Sequence, residues 1–168
     1  IILDGKGHND ADGKPVTQAG GLVDIVSSTA KLTLLANDPE HPELGGNPIL
    51  RNNYRSADGG AIKSVAGATS ESLTMQNANI YGNYSTGSGG ALALSSDAVI
   101  LNGSIHNNSA AGNGGGLYIA PNCTVDMAGG NFYRNSAGNE GGAVYVDTAS
   151  NTPGSFRVGN ASIGTGIC

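Results

Sequence analysis

The stretch Ile80-Tyr81-Gly82-Asn83-Tyr84-Ser85-Thr86-Gly87-Ser88-Gly89-Gly90-Ala91-Leu92 holds two elements that the rest of the chain repeats. One is an apolar residue followed three positions later by Asn; the other is a Gly pair followed by a small and then an aliphatic residue. The same two elements run from Leu50 to Asn53 with Gly59-Gly60-Ala61-Ile62, and from Ile105 to Asn108 with Gly114-Gly115-Gly116-Leu117. They appear again from Phe132 to Asn135 with Gly141-Gly142-Ala143-Val144. In all four copies the Asn stands six residues before the first Gly. Gly20-Gly21-Leu22-Val23 is a looser copy of the second element, Ile1 to Asp4 reads as a degenerate first element with Asp for Asn, and Ile163 opens a further one. Self-similarity at this period marks a repeat architecture.

Successive Gly pairs are 39, 30, 25 and 27 residues apart. Each step also contains an apolar pair at alternating positions: Leu32/Leu34, Leu73/Met75, Val99/Leu101, Val125/Met127 and Phe156/Val158. Alternation at period two reads as strand. Strands this short cannot bury a face alone, whereas a stack of equivalent coils can. The reading is all-β: a right-handed parallel β-helix, or β-solenoid, with three strands per coil. The hand is chosen because the coil length lacks a hexapeptide period. About five to six coils rising by the strand spacing of about 4.8 Å make one rod segment of roughly 25 Å. Residues 1–168 form this single segment, read as a piece of a longer chain, with insertions at about 5–19 and 36–48.

The alternation assigns faces. After the Gly pair, Val23, Ile62, Leu92, Leu117 and Val144 point inward, as do Ile25, Ser64, Leu94, Ile119 and Val146, with Ser64 the poor fit. Asp24, Lys63, Ala93, Tyr118 and Tyr145 point outward between them. The residue after the apolar anchor gives the outward set Arg51, Tyr81, His106 and Tyr133. The residue after the Asn gives Tyr54, Tyr84, Ser109 and Ser136. The Gly pairs Gly20/Gly21, Gly59/Gly60, Gly89/Gly90, Gly114/Gly115 and Gly141/Gly142 are read as structural corners that need positive φ. Asn53, Asn83, Asn108 and Asn135 are read as turn residues, tolerant of left-handed backbone, whose amides satisfy turn groups and bond from coil to coil.

Composition narrows the classes. Glycine is 28 of 168 residues, Asn 18, charged residues 12% and aromatics 5%, with no Trp. Glycine at this level opposes helix, and it lacks the period of three that collagen needs. No apolar run approaches the roughly 20 residues that span a bilayer. The net charge of −5 argues against nucleic acid as a partner, because such sites need a basic footprint.

The pairing of Gly-Gly-Ala-aliphatic at Gly59, Gly89 and Gly141 with the apolar-x-x-Asn element, matched with Phe at Phe132, resembles the repeats of chlamydial polymorphic outer membrane proteins. Adhesin-like repeat proteins of other bacteria and archaea are similar. The resemblance covers Leu50 to about Val146. It implies a β-helical, autotransporter-like passenger displayed at an extracellular surface, acting in adhesion, whose motif residues carry no catalysis.

Polysaccharide-active β-helix enzymes need two or more carboxylates close together on one face. Acids at equivalent positions of adjacent coils are absent from the outward columns. Asp126 stands beside Arg157 of the next coil and reads as a surface ion pair, and Glu71, Asp97 and Asp147 fall in turns at differing offsets. The first insertion contains Asn9, Asp10, Asp12 and Gly13, part of a calcium-loop pattern that lacks the later ligands; Ca²⁺ is the one candidate cofactor. The second contains Asp38, Glu40, His41 and Glu43. Cys123 reads as inward-facing, and a bridge to Cys168 is not expected at disulfide distance. Outward aromatics pair from coil to coil: Tyr54 with Tyr84, Tyr118 with Tyr145, and Tyr81 with His106 and Tyr133. They are the candidate ligand surface, although aromatics also favour strands for packing reasons alone. The expected role is an adhesin-like stalk or binding surface for a protein or glycan. The alternatives are a carbohydrate-active enzyme fragment and a subunit whose open ends stack on neighbouring coils or on another subunit.

Overall fold

The computed structural model describes residues 1–5, 21–36, 46–66, 71–149, 151–159 and 162–163. An incomplete first turn carries β1 (Ile2–Asp4), β2 (Val23–Ile25) and β3 (Leu32–Leu34). Four complete turns follow. They are β4 (Ile49–Arg51), β5 (Tyr54–Arg55), β6 (Ile62–Ser64) and β7 (Leu73–Met75); then β8 (Asn79–Tyr81), β9 (Tyr84–Ser85), β10 (Leu92–Leu94) and β11 (Ala98–Ile100). Next come β12 (Ser104–His106), β13 (Ser109–Ala110), β14 (Leu117–Ile119) and β15 (Thr124–Met127). The last are β16 (Asn131–Tyr133), β17 (Ser136–Ala137), β18 (Val144–Val146) and β19 (Ser155–Val158), with β20 (Ser162–Ile163) opening another turn.

All pairings are parallel, and equivalent strands of successive turns form the walls: β1-β4-β8-β12-β16-β20, β2-β6-β10-β14-β18 and β3-β7-β11-β15-β19. A fourth wall, β5-β9-β13-β17, was not expected. It consists of two-residue strands just after the Asn, too short to alternate visibly in sequence. The molecule is therefore a parallel β-solenoid of four complete turns rather than five to six, because the first and last turns lack members of the fourth wall among the described residues.

Register matches the assigned faces with two corrections. Ala98, not Val99, aligns with Leu73 and Val125, and Ile100 aligns with Met75 and Met127. Ala98 and Ile100 are thus buried while Val99 is half-buried on the outer side and Leu101 is exposed. Leu3, not Ile1, aligns with Leu50, so Asp4 stands in the Arg51 column instead of the Asn column. The expected alignment of Ile163 with Phe132 holds.

The core is one column of Leu, Ile, Val, Met and Phe132 running down the axis, closed at the corner by small residues such as Ala61 and Ala91. At an order of 1.5–3 kcal/mol per buried aliphatic side chain, this column is the main source of stability. Ser64 is fully buried and bonds to Ser96 Oγ at 2.7 Å, while Ser72 and Ser96 share a hydrogen bond. A hydroxyl cluster therefore satisfies the inward polar position.

The two glycines of each pair do different jobs. The first takes left-handed backbone, φ 74° at Gly59 and 71° at Gly89. The second has no room for a side chain: a Cβ at Gly90 would meet the carbonyl oxygen of Gly115 in the next coil. Gly20 lies outside the described residues. The Asn residues divide labour too. The left-handed position is the residue before each anchored Asn, namely Asn52, Gly82, Asn107 and Arg134. The anchored Asn is buried and works through its amide.

Candidate ligand face

The wall made of β4, β8, β12 and β16 presents the column Arg51, Tyr81, His106, Tyr133 on its outer side, below Asp4. Strand spacing of about 4.8 Å sets each ring over the next. Tyr81 and His106 have centroids 5.1 Å apart at 7°, and His106 and Tyr133 4.6 Å apart at 5°. His106 is thus stacked on both faces and Tyr81 and Tyr133 on one each, so the ladder offers mainly ring edges to solvent. Arg51 Nη1 donates to the Tyr81 hydroxyl at 2.9 Å and Arg51 Nε to Asp4 at 2.9 Å.

His106 is fixed at both nitrogens. Asn107 Nδ2 lies 2.8 Å from Nδ1, and Asn79 Oδ1 lies 2.8 Å from Nε2. An amide NH₂ only donates and an amide oxygen only accepts, so the geometry selects the neutral Nε2–H tautomer. Burial, with the Arg134 charge second, holds its pKa below the ordinary histidine value. Beside the rings, the other outward residues of these strands are Asn79, Ser104 and Asn131. The face thus sets amides and hydroxyls next to ring edges.

The other tyrosines form two further stacks. Tyr54 and Tyr84 lie 4.4 Å apart at 15°, and Tyr118 and Tyr145 lie 5.9 Å apart at 7°. Tyr118 donates to Asp147 Oδ2 at 2.5 Å; burial, reinforced by that bond, raises its pKa, and the same bond lowers that of Asp147. All aromatic pairs expected from sequence are therefore brought together, on three separate walls.

The buried Asn column is a second sequence-predicted set. Asn83 Nδ2 donates to Leu50 O at 3.1 Å and to Asn108 Oδ1 at 3.0 Å; Asn108 Nδ2 donates to Ile80 O at 3.0 Å and to Asn135 Oδ1 at 3.1 Å. The backbone N–H of Asn53, Asn83 and Asn108 each donates to the Asn Oδ1 of the following coil. At 0–4% exposure these residues offer no ligand surface; they are structural.

The described aspartates are engaged in ways that sequence separation obscured. Asp126 and Arg157 form the expected pair, with two contacts of 2.5 Å. Asp97 accepts from Thr124 N at 2.7 Å and Asp58 from Ser88 N at 2.8 Å. Sequence reasoning missed Arg55, whose buried guanidinium reaches Asp24 at 2.6 Å. Its position, one residue after Tyr54, is inward by alternation, so a buried cation needing the outward Asp24 could have been sought. Cys123 is buried, bonded to Pro121 O, and its thiol is pushed up to about 11 by burial and Asp97. Asn9, Asp10, Asp12, the acidic residues of the second insertion and Cys168 lie outside the described residues. Among the described residues no three His, Cys, Asp or Glu side chains gather as metal ligands, and no helix is long and apolar enough to cross a membrane. No family model, curated protein or solved structure matches the chain.

Proposed function

We propose that this β-solenoid is a non-enzymatic, adhesin-like segment displayed at an extracellular surface, and that the Tyr81–His106–Tyr133 wall is its ligand face. The observation that carries the reading is the continuous outward ladder, in which rings fixed from coil to coil stand beside Asn79, Ser104 and Asn131. Asn79 fixes the His106 ring through its oxygen, while its NH₂ and the side chains of Ser104 and Asn131 face outward beside the rings. Together they supply apolar edges and hydrogen-bonding groups at a regular rise of about 4.8 Å. A ligand that repeats at a similar rise, such as an extended glycan laid along the rod, meets each rung in the same way. The repeat's resemblance to surface-exposed adhesin repeats supports display. Rigidity supports it as well, since a face held by a packed core loses little conformational entropy on binding.

The test is a glycan array and a cell-surface binding assay on the wild type, the Tyr81→Ala/Tyr133→Ala variant and Tyr54→Ala. The expected result is glycan binding that falls at least about tenfold in the double variant and persists in Tyr54→Ala. Unchanged circular dichroism would exclude misfolding as the cause. Wild-type protein that binds no glycan, or binding indifferent to Tyr81 and Tyr133, would overturn the proposal.

A further inference from the structure

The chain contains two Asn-Gly pairs, Asn102-Gly103 and Asn113-Gly114, and the fold treats them oppositely. At the second, the Gly114 N–H donates to Glu140 O at 2.9 Å, and Asn113 Oδ1 accepts from Glu140 N at 3.1 Å. Both reacting partners of that pair are held by the next coil. At the first, Asn102 is exposed at the tip of the turn between β11 and β12, and among the described residues neither its side chain nor the Gly103 N–H makes a hydrogen bond. Gly103 has φ 125° and carries no Cβ to crowd the nitrogen.

We propose that Asn102 is a site of spontaneous deamidation that acts on the central rung of the aromatic ladder. The Gly103 nitrogen attacks Cγ of Asn102, a C–N bond forms, and the side-chain nitrogen leaves as ammonia. The product is a five-membered succinimide. Water then adds to either carbonyl and opens the ring, leaving an aspartyl residue or a β-linked isoaspartyl residue at position 102. No oxidant or cofactor enters, and the first step speeds up with pH because the attacking N–H must lose its proton.

The fold turns this chemistry into a structural change. The three-residue turn from Leu101 to Gly103 is pinned on both sides: Leu101 N donates to Met75 O and Ser104 N to Ala78 O, both at 2.8 Å. Asn131 N donates to Gly103 O at 2.8 Å from the other side. An isoaspartyl link routes the main chain through Cβ and lengthens this turn by one atom. The pinned turn cannot absorb the extra atom, and the next three residues are β12, which carries His106. The linkage therefore moves His106 out of register between Tyr81 and Tyr133, whatever the ladder binds.

The experiment ages purified protein at mildly alkaline pH and follows peptides by mass spectrometry, isoaspartate by enzymatic methylation, and the His106 ring by NMR. Two hydrogen bonds must break before Asn113 reacts, so Asn102 should convert at least about tenfold faster. Asn102→Gln should abolish the mass gain at position 102 and leave the His106 signals constant. Freshly prepared Asn102→Asp supplies the charge without the extra backbone atom, so His106 signals that differ from fresh wild type in the aged wild type but not in this unaged variant assign the effect to the linkage. Equal conversion at the two pairs, or no conversion at Asn102, would overturn the site. Conversion to isoaspartate without change at His106 would overturn its action on the ladder.

Discussion

The two sides of each coil obey different rules. From the apolar anchor through the Asn to the Gly pair, the chain length is the same in all four copies. From the strand after the Gly pair to the next strand it is not: Val23 to Leu32 is 9 residues, Ile62 to Leu73 11, Leu92 to Ala98 6, Leu117 to Val125 8 and Val144 to Phe156 12. The constant side contains the buried Asn column and the glycine that touches the next coil's carbonyl. Its length cannot change without breaking bonds in two neighbouring turns. The variable side ends in exposed turns such as Pro121-Asn122, where Asn122 takes φ 63° and its N–H bonds to Thr152 O. Constancy of spacing therefore reports buried inter-coil bonding, and variability reports a turn facing water.

The sharpest way to break this contrast is to insert a Gly-Ser pair on either side. Between Thr86 and Gly87 the insertion displaces Gly89-Gly90 from Asn83, and it should cost more than about 4 kcal/mol by denaturant melting. After Pro121 the same insertion should cost under about 1 kcal/mol, the order set by loop closure. Comparable losses at both places would remove the distinction. Next in size, Asn108→Ala leaves the Asn83 N–H buried without a partner and removes one acceptor from the Asn83 amide, and should cost about 1–3 kcal/mol. The exposed Asn139→Ala should stay within about 0.5 kcal/mol.

Gly90→Ala places a methyl against the Gly115 carbonyl and should lose about 1–3 kcal/mol. Gly46→Ala, with open space around its Cβ, should be near neutral. A Gly90→Ala protein as stable as the wild type would show that the coils can separate at this corner. The smallest effect is in pH. His106 has a lowered pKa in the fold, so the folded state binds fewer protons than the unfolded one as pH falls. Stability contributed by neutral His106 is present above its unfolded value of about 6.5 and declines as pH drops through that value toward the lower folded one. Melting curves across that window should show a small loss that His106→Gln abolishes.

Most of the fold was legible because the motif lies on the constant side. The outer columns Asp24/Lys63, Arg51/Tyr81/His106/Tyr133 and Tyr54/Tyr84 followed from alternation once the repeat was aligned. What escaped follows from the variable side. Val99 outranks Ala98 in bulk and Leu101 matches Ile100, yet the spacings Leu73 to Ile80, Val125 to Phe132 and Phe156 to Ile163 are all 7 residues, and the same spacing back from Ile105 reaches Ala98. That constant spacing places Ala98, not Val99, in the inward column. Arg55 was hidden for a different reason: its partner Asp24 is 31 residues away and belongs to another wall. The ligand face was legible as a column of rings, but not the fact that those rings turn their faces to each other. That depends on side-chain orientation.

The Asn column has a consequence for how the rod comes apart. The N–H groups of Asn53, Asn83 and Asn108 are each held by a side chain from the coil that follows, not by their own turn. Solvent exchange at these amides therefore reads the integrity of the neighbour. Fraying that begins at the last coil would release Asn108 first, then Asn83, then Asn53, giving three protons that record the passage of an unfolding front along the axis.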